Sequence, residues 1–327
     1  MLRLTIVLAG AALYAQGTLA QQNPARPADA YPLRPIRLII PYSPGGASDN
    51  IARLVMPRIG EALGQTMVID NRAGAGGTIG RDLAAKAAPD GYTLLATDAP
   101  HTMNPLFIRN LPYDALRDFT PVTTTATSPM VMVVLANFPA KTVKDLVALA
   151  KAQPGKLNFG SGGTGVITHM TGELFKIAAG INIVHVPYKS IAPAITDLLG
   201  GQIQIAFPSP ATVSGQVQSG RLRLLAVAST KRSPAYPDAP TFEEAGVPGM
   251  VAANWFGVMG PAKLPQPIVQ RLNGEIHKAV RIREVQERLI AAGIEPMLNT
   301  PREFQAMLEA ETARWSSVVK TAGIKPE

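Results

Sequence analysis

The chain has 327 residues, 46% of them hydrophobic and 17% charged, which suits two folded lobes better than one ordinary core or a disordered chain. It has no cysteine, which excludes disulfides, thiolate catalysis and cysteine-ligated metal centres. Its formal charge of +8 comes with no dense Lys/Arg cluster and only 6% aromatic residues, so nothing supports a nucleic-acid interface, and the diffuse positive field favours anionic solutes.

Met1-Leu2-Arg3, the uncharged run Leu4 to Ala15 and the small-residue step Thr18-Leu19-Ala20 read as a secretory signal peptide, residues 1–20, cut after Ala20. The apolar run is shorter than the ~20 residues of a membrane span. Gln21 to Ala30 reads as a short polar tail. Arg37 to Tyr42 has the pattern of a buried strand, and Ser43-Pro44-Gly45-Gly46-Ala47 is a turn-rich loop. Ser48 or Asp49 is the expected cap of a helix whose apolar face is Ile51, Leu54, Val55, Ile59 and Leu63. Pro57 is expected to kink or divide that helix, and Gly64 to end it. A strand over Thr66 to Asp70, a glycine loop from Gly74 to Gly80, a helix over Arg81 to Ala88 and a strand over Tyr92 to Thr97 follow.

The same order returns downstream: strand Leu157 to Phe159, loop Ser161 to Gly165, a helix marked by Ile167, Met170, Leu174 and Ala178, a stop at Gly180, and strand Ile183 to Val186. Ala192 to Leu199 and Val213 to Ser219 read as helices, Gln202 to Phe207 and Leu222 to Ala228 as strands. Two strand–loop–helix–strand units argue for α/β lobes with mainly parallel sheets. Pro121 to Asn137 and Val247 to Gly260 are candidate crossovers between lobes. The helical stretches Pro267 to Ala279, Arg283 to Ala292 and Pro301 to Thr321 are expected to pack back on the first lobe. The expected division is residues 31–126 with 253–327 as one lobe and 127–252 as the other.

Gly74-Ala75-Gly76-Gly77-Thr78-Ile79-Gly80 misses the dinucleotide fingerprint, being G-x-G-x-x-x-G, and reads as a tight turn before a closely packed helix. No cofactor is expected. Ser161 lacks the G-x-S-x-G of a nucleophile elbow because residue 159 is Phe. The histidines His101, His169, His185 and His277 show no i, i+4 pairing, so no helical metal site is signalled. An exported hydrolase with a triad drawn from distant residues stays open. The remaining chemistry is anion binding at helix N-termini, where glycine lets a ligand approach free N–H groups. The loops Ser43 to Ser48 and Ser161 to Gly165 both fit, and neither holds Arg or Lys.

From about Tyr31 onward the chain resembles the tripartite tricarboxylate transporter substrate-binding proteins, the Bug or TctC-like family. The resemblance rests on Tyr31-Pro32 with Pro35-Ile36-Arg37, Pro44-Gly45-Gly46 with Asp49 and Ala52-Arg53, and Asn71-Arg72 with Gly74 to Gly77. It continues through Pro89-Asp90-Gly91-Tyr92-Thr93-Leu94-Leu95, Leu111-Pro112-Tyr113, His185-Val186-Pro187-Tyr188-Lys189, Glu244-Ala245-Gly246 and Trp255-Phe256-Gly257.

The resemblance implies a two-lobed, type II-like periplasmic binding fold with crossing hinge strands and no enzymatic activity. It implies a monomer that takes an aliphatic or aromatic carboxylate into its cleft and delivers it to the permease subunits of a tripartite tricarboxylate transporter. A sensory protein presenting its ligand to a membrane sensor is the alternative. Carried over by position, the ligand residues are Tyr42, Ser43, Pro44, Gly45, Gly46, Ala47, Ser48 and Asp49 on the first loop, and Ser161, Gly162, Gly163 and Thr164 with His169 on the second. Thr97, Asp98, His101, Tyr188, Phe207, Pro208 and Ser209 complete the expected lining. Phe207-Pro208-Ser209 lacks the Asp that many relatives carry there, which argues against a ligand amino group in the cleft.

Overall fold

A computed structural model describes residues 31–324; the expected signal peptide and its cleavage site lie outside them. The chain opens with β1 (Ile36–Ile40), α1 (Ala47–Leu63), β2 (Met67–Asn71), α2 (Thr78–Ala85), β3 (Thr93–Asp98), α3 (Pro100–Phe107) and β4 (Phe119–Pro129). It continues with β5 (Val131–Leu135), α4 (Val143–Ala152), β6 (Asn158–Ser161), α5 (Ile167–Ala179), β7 (Val184–Pro187), α6 (Ile191–Leu199), β8 (Ile205–Ala206), α7 (Pro210–Gln218) and β9 (Leu222–Val227). It ends with β10 (Ala253–Pro261), α8 (Gln266–Val280), α9 (Arg283–Ala291), β11 (Glu295–Pro296) and α10 (Pro301–Ala322).

These strands form two sheets, one per lobe, in the orders β11-β4-β10-β3-β1-β2 and β7-β6-β8-β5-β9. The βαβ units pair in parallel, β1 with β2 and β3, and β6 with β7 and β8. The crossing strands bring antiparallel pairs: β10 with β3 and β4, β11 with β4, and β5 with β8 and β9. The sheets are therefore mixed. The candidate crossovers are themselves strands, and they pass between lobes at a closed hydrogen-bond triangle. Met130 N–H donates to the Ala252 carbonyl at 2.8 Å, Ala252 N–H to Ala228 at 3.0 Å, and Ala228 N–H to Met130 at 2.8 Å.

Local differences from the sequence reading have physical causes. Helix α1 runs unbroken through Pro57, because its face Ile51, Val55, Ile59 and Leu63 is buried and it packs along α8 and β2, which outweighs one missing backbone bond. Its cap is Gly46, not Ser48 or Asp49. Helix α2 starts at Thr78, inside the expected glycine loop. Gly80 lets α2 press on Pro41, where a Cβ would fall 2.7 Å from the Pro41 Cα, in keeping with a close-packing turn. Helix α10 straddles the lobes: it packs on α5 as well as on β4 and α3, burying Phe304, Leu308, Trp315 and Val318. Each such side chain contributes about 1.5–3 kcal/mol when fully buried.

Candidate functional site

A cavity of about 130 Å³ lies between the lobes. Four helix starts reach it: Ala47 of α1, Ile167 and Thr168 of α5, Ile191 of α6, and Ser209, Ala211 and Thr212 at the head of α7. Ser128 and Met130 at the crossing, Asn254 and Phe256 of β10, and Ile294 complete the lining, which contains no charged side chain. Helix starts present unbonded N–H groups and the positive end of the helix dipole. Their convergence suits an anion with a short apolar body.

The first loop is braced from beneath by Asp49, which is 2% exposed. Its carboxylate accepts from Gly45 N–H (2.9 Å), Arg53 Nε (2.8 Å) and Asn71 Nδ2 (3.0 Å). The Arg53 bond, with those from Gly45 and Asn71, outweighs burial and draws the Asp49 pKa down to about 2. Asp49 thus shapes the loop, leaving the α1 N–H groups of Ala47 and Ser48 without a partner among the described residues. Ser43, Pro44, Gly45 and Gly46 are exposed beside them. Tyr42 sits under the loop, its hydroxyl 2.8 Å from both Asp98 Oδ1 and Arg81 Nη2. Arg81 and Asp98 form a buried ion pair at 2.6 Å. Burial, then the Asp98 charge, pushes the Tyr42 hydroxyl pKa far up.

The second loop is bonded to itself. Gly162 N–H donates to Thr168 Oγ1 (3.0 Å), Gly163 N–H to Ser161 Oγ (3.1 Å) and Gly165 N–H to His169 Nδ1 (3.1 Å). The expectation that Gly162 and Gly163 offer free N–H groups is corrected on that ground. The open donors lie further on, at Ile167 and Thr168, where α5 begins. Thr164 is exposed at the loop tip. His169 is 3% exposed and stacks on His185 at 3.9 Å. Burial, then the His185 and Lys176 charges, takes the His169 pKa down to about 3, and burial, then Lys176, takes His185 to about 4. Both rings are neutral. His185 Nε2 lies 2.6 Å from Ser161 Oγ, the pairing a hydrolase needs. But Ser161 is fully buried, and among the described residues no carboxylate hydrogen-bonds His185. The pair organises the loop.

Several expected lining residues lie elsewhere. His101 is fully buried between Tyr113 and Phe119, with Nε2 2.7 Å from the Ala115 carbonyl. Burial, then Arg81, takes its pKa down to about 3. Phe207 is fully buried against Phe159 and Phe175, Pro208 is buried, and the Tyr188 hydroxyl donates to Asp197 at 2.7 Å. Asp98 is committed to Arg81 and Tyr42. Thr97 and Ser48 face a separate void of about 20 Å³. Of the expected residues, Ala47 and Ser209 line the cavity. Sequence reasoning missed Ser128, Asn254, Phe256, Thr168 and Thr212. Strand alternation through the two crossovers was the available signal for the first three.

The family model for the tripartite tricarboxylate transporter family receptor matches residues 51–324. The chain is similar to a solved Rhodopseudomonas palustris protein, Rpa4515 with adipate (37% identity, 91% of this chain and 100% of that one, TM-score 0.78). It is similar to the periplasmic binding protein BugD (33%, 91% and 100%, TM-score 0.74), and to MatC from Rhodopseudomonas palustris with bound malate (29%, 88% and 100%, TM-score 0.73).

Proposed function

The chain belongs to the tripartite tricarboxylate transporter family of receptors, Bug-type solute-binding proteins, and on that premise we propose that it closes on a small aliphatic carboxylate in the periplasm and hands it, unaltered, to a membrane permease. The observation that carries this reading is the convergence of four helix starts on one cavity without a charged side chain. The α1 and α5 N–H groups hold the carboxylate oxygens. Ser128, Thr168, Ser209, Thr212 and Asn254 serve its other polar groups, and Ile167, Ile191 and Phe256 its carbon chain. Adipate and malate in two similar proteins support the ligand class. The moving bodies are residues 31–126 with 253–327 against residues 127–252.

Calorimetry with adipate and its diamide tests this. Hydrogen bonds to a charged group are worth about 1.5–3 kcal/mol each, so weakening two lowers affinity about a hundredfold. An amide that binds as tightly as the acid overturns the anion site. Adipate recovered chemically changed overturns the receptor role. Export is read from intact mass: periplasmic protein should begin at Gln21, and a retained Met1 to Ala20 segment contradicts that location.

A further inference from the structure

The hinge strands have a second face. Residues alternate sides along a strand, so where Ser128, Met130, Asn254 and Phe256 line the cleft, Thr127, Pro129, Ala253 and Trp255 line another cavity behind it. The pairing of Thr127 with Trp255, Ser128 with Asn254 and Pro129 with Ala253 makes the two strands a wall between the cavities. The rear cavity is the larger, about 390 Å³.

Its polar groups are incomplete. Trp255 is 3% exposed and Glu295 9% exposed; both line the cavity. Trp255 Nε1 and Glu295 Oε1 are buried with no hydrogen-bond partner, and so is Arg314 Nε on the same wall. Arg314 is otherwise held by Glu311 at 2.7 Å and by the Val251 carbonyl. Among the described residues, Glu295 has no ion pair. A buried polar group without a partner destabilises the fold, and more so when charged. One donor group must meet the Glu295 carboxylate and one acceptor the Trp255 and Arg314 N–H groups, beside the apolar surfaces of Met297, Met307 and Pro296.

We propose that this rear cavity is a binding site for a small zwitterionic amino acid with an apolar side chain: the ammonium on Glu295, the carboxylate on Trp255 Nε1 and Arg314 Nε, the side chain between Met297 and Met307. The cleft and the rear cavity thus take different solutes, because only the rear one holds a buried, unpaired acid.

The chain has two tryptophans, and Trp315 Nε1 already donates to Glu311 at 2.8 Å, so the indole N–H open to a ligand is that of Trp255. The probe is L-leucine, with 4-methylpentanoate and 3-methylbutylamine as the same skeleton lacking one charge. Leucine should shift the resonance that Trp255→Phe removes, saturably, and each analogue should bind at least tenfold more weakly. Glu295→Gln should weaken leucine tenfold or more while adipate binding stays as in the parent. No saturable leucine shift, equal binding of either analogue, or unaltered leucine binding by Glu295→Gln overturns the site, leaving ordered water as the partner of these groups. A negative leucine result leaves the adipate experiment untouched, so the two readings fail separately.

Discussion

The Phe107 ring at the end of α3 lies against Gly165 in the second loop, so that a Cβ on Gly165 would sit 2.8 Å from Phe107 Cγ. This contact crosses from one lobe to the other beside the start of α5. Gly293 makes its counterpart at α7, where a Cβ would fall 2.9 Å from Pro210 Cβ. Gly165→Ala should hold the lobes apart and lower carboxylate affinity by roughly tenfold, about 1.4 kcal/mol. Phe107→Ala in the same chain should restore part of it, the remainder reflecting the positive φ of 78° at Gly165. Calorimetry and solution scattering read both effects, and unchanged affinity in Gly165→Ala would show that the contact plays no part in closure.

Asp49→Ala removes the acceptor shared by Gly45, Arg53 and Asn71. The first loop should lose its shape, with adipate affinity falling tenfold or more and stability by about 1–3 kcal/mol. Urea melts separate the two effects. A variant that binds normally would show that the loop is held without its carboxylate.

The Arg81–Asp98 pair lies wholly inside the first lobe. Asp98→Ala leaves the Arg81 charge without its counter-ion and should cost about 3–5 kcal/mol of unfolding free energy. A loss below 1 kcal/mol in urea melts would show that water or Tyr42 alone satisfies the guanidinium.

Burial takes the His101 and His169 pKa values down to about 3 and that of His185 down to about 4, from an ordinary value of 6.5. In the fold all three stay neutral at pH 5, whereas the unfolded chain takes up their protons below 6.5. Stability is therefore fully present above pH 6.5 and falls on acidification towards pH 4, by up to about 1.4 kcal/mol per pH unit for each of the buried His101 and His169, and by less for the half-buried His185, whose charge water screens. Melting temperatures at pH 7, 6 and 5 should drop steadily. A flat profile would mean that the unfolded chain gains no proton over the fold.

Much of the framework was legible because periodicity and glycine stops carry it. Gly64 and Gly180 end α1 and α5 in the left-handed conformation, as their places after apolar faces indicate. Helix α4 was missed although Thr142 and Asp145 form its capping box, a signal in plain view. The site was less legible for a geometric reason. Its lining comes from the first residues of helices and from alternate residues of crossing strands, and neither position has a composition of its own. His101 and Phe207 stand near the expected lining in sequence, but their side chains turn into aromatic clusters, a choice of face that one sequence does not encode locally.

Strand β10 lies between β3 and β4 in the middle of its sheet, yet it begins at Ala253, more than a hundred residues after β4 ends at Pro129. Until it arrives, the first lobe has a three-stranded β3-β1-β2 sheet and a β4 with neither of its partners, β10 and β11, and α10, which touches both lobes, comes later still. A chain made from its N-terminus onward therefore cannot finish the first lobe early, although every strand of the second sheet is present by Val227. Such non-local pairing folds slowly, so the first lobe stays open until almost the whole chain is present. Under the proposed export, that delay favours passage of the chain before its first lobe closes.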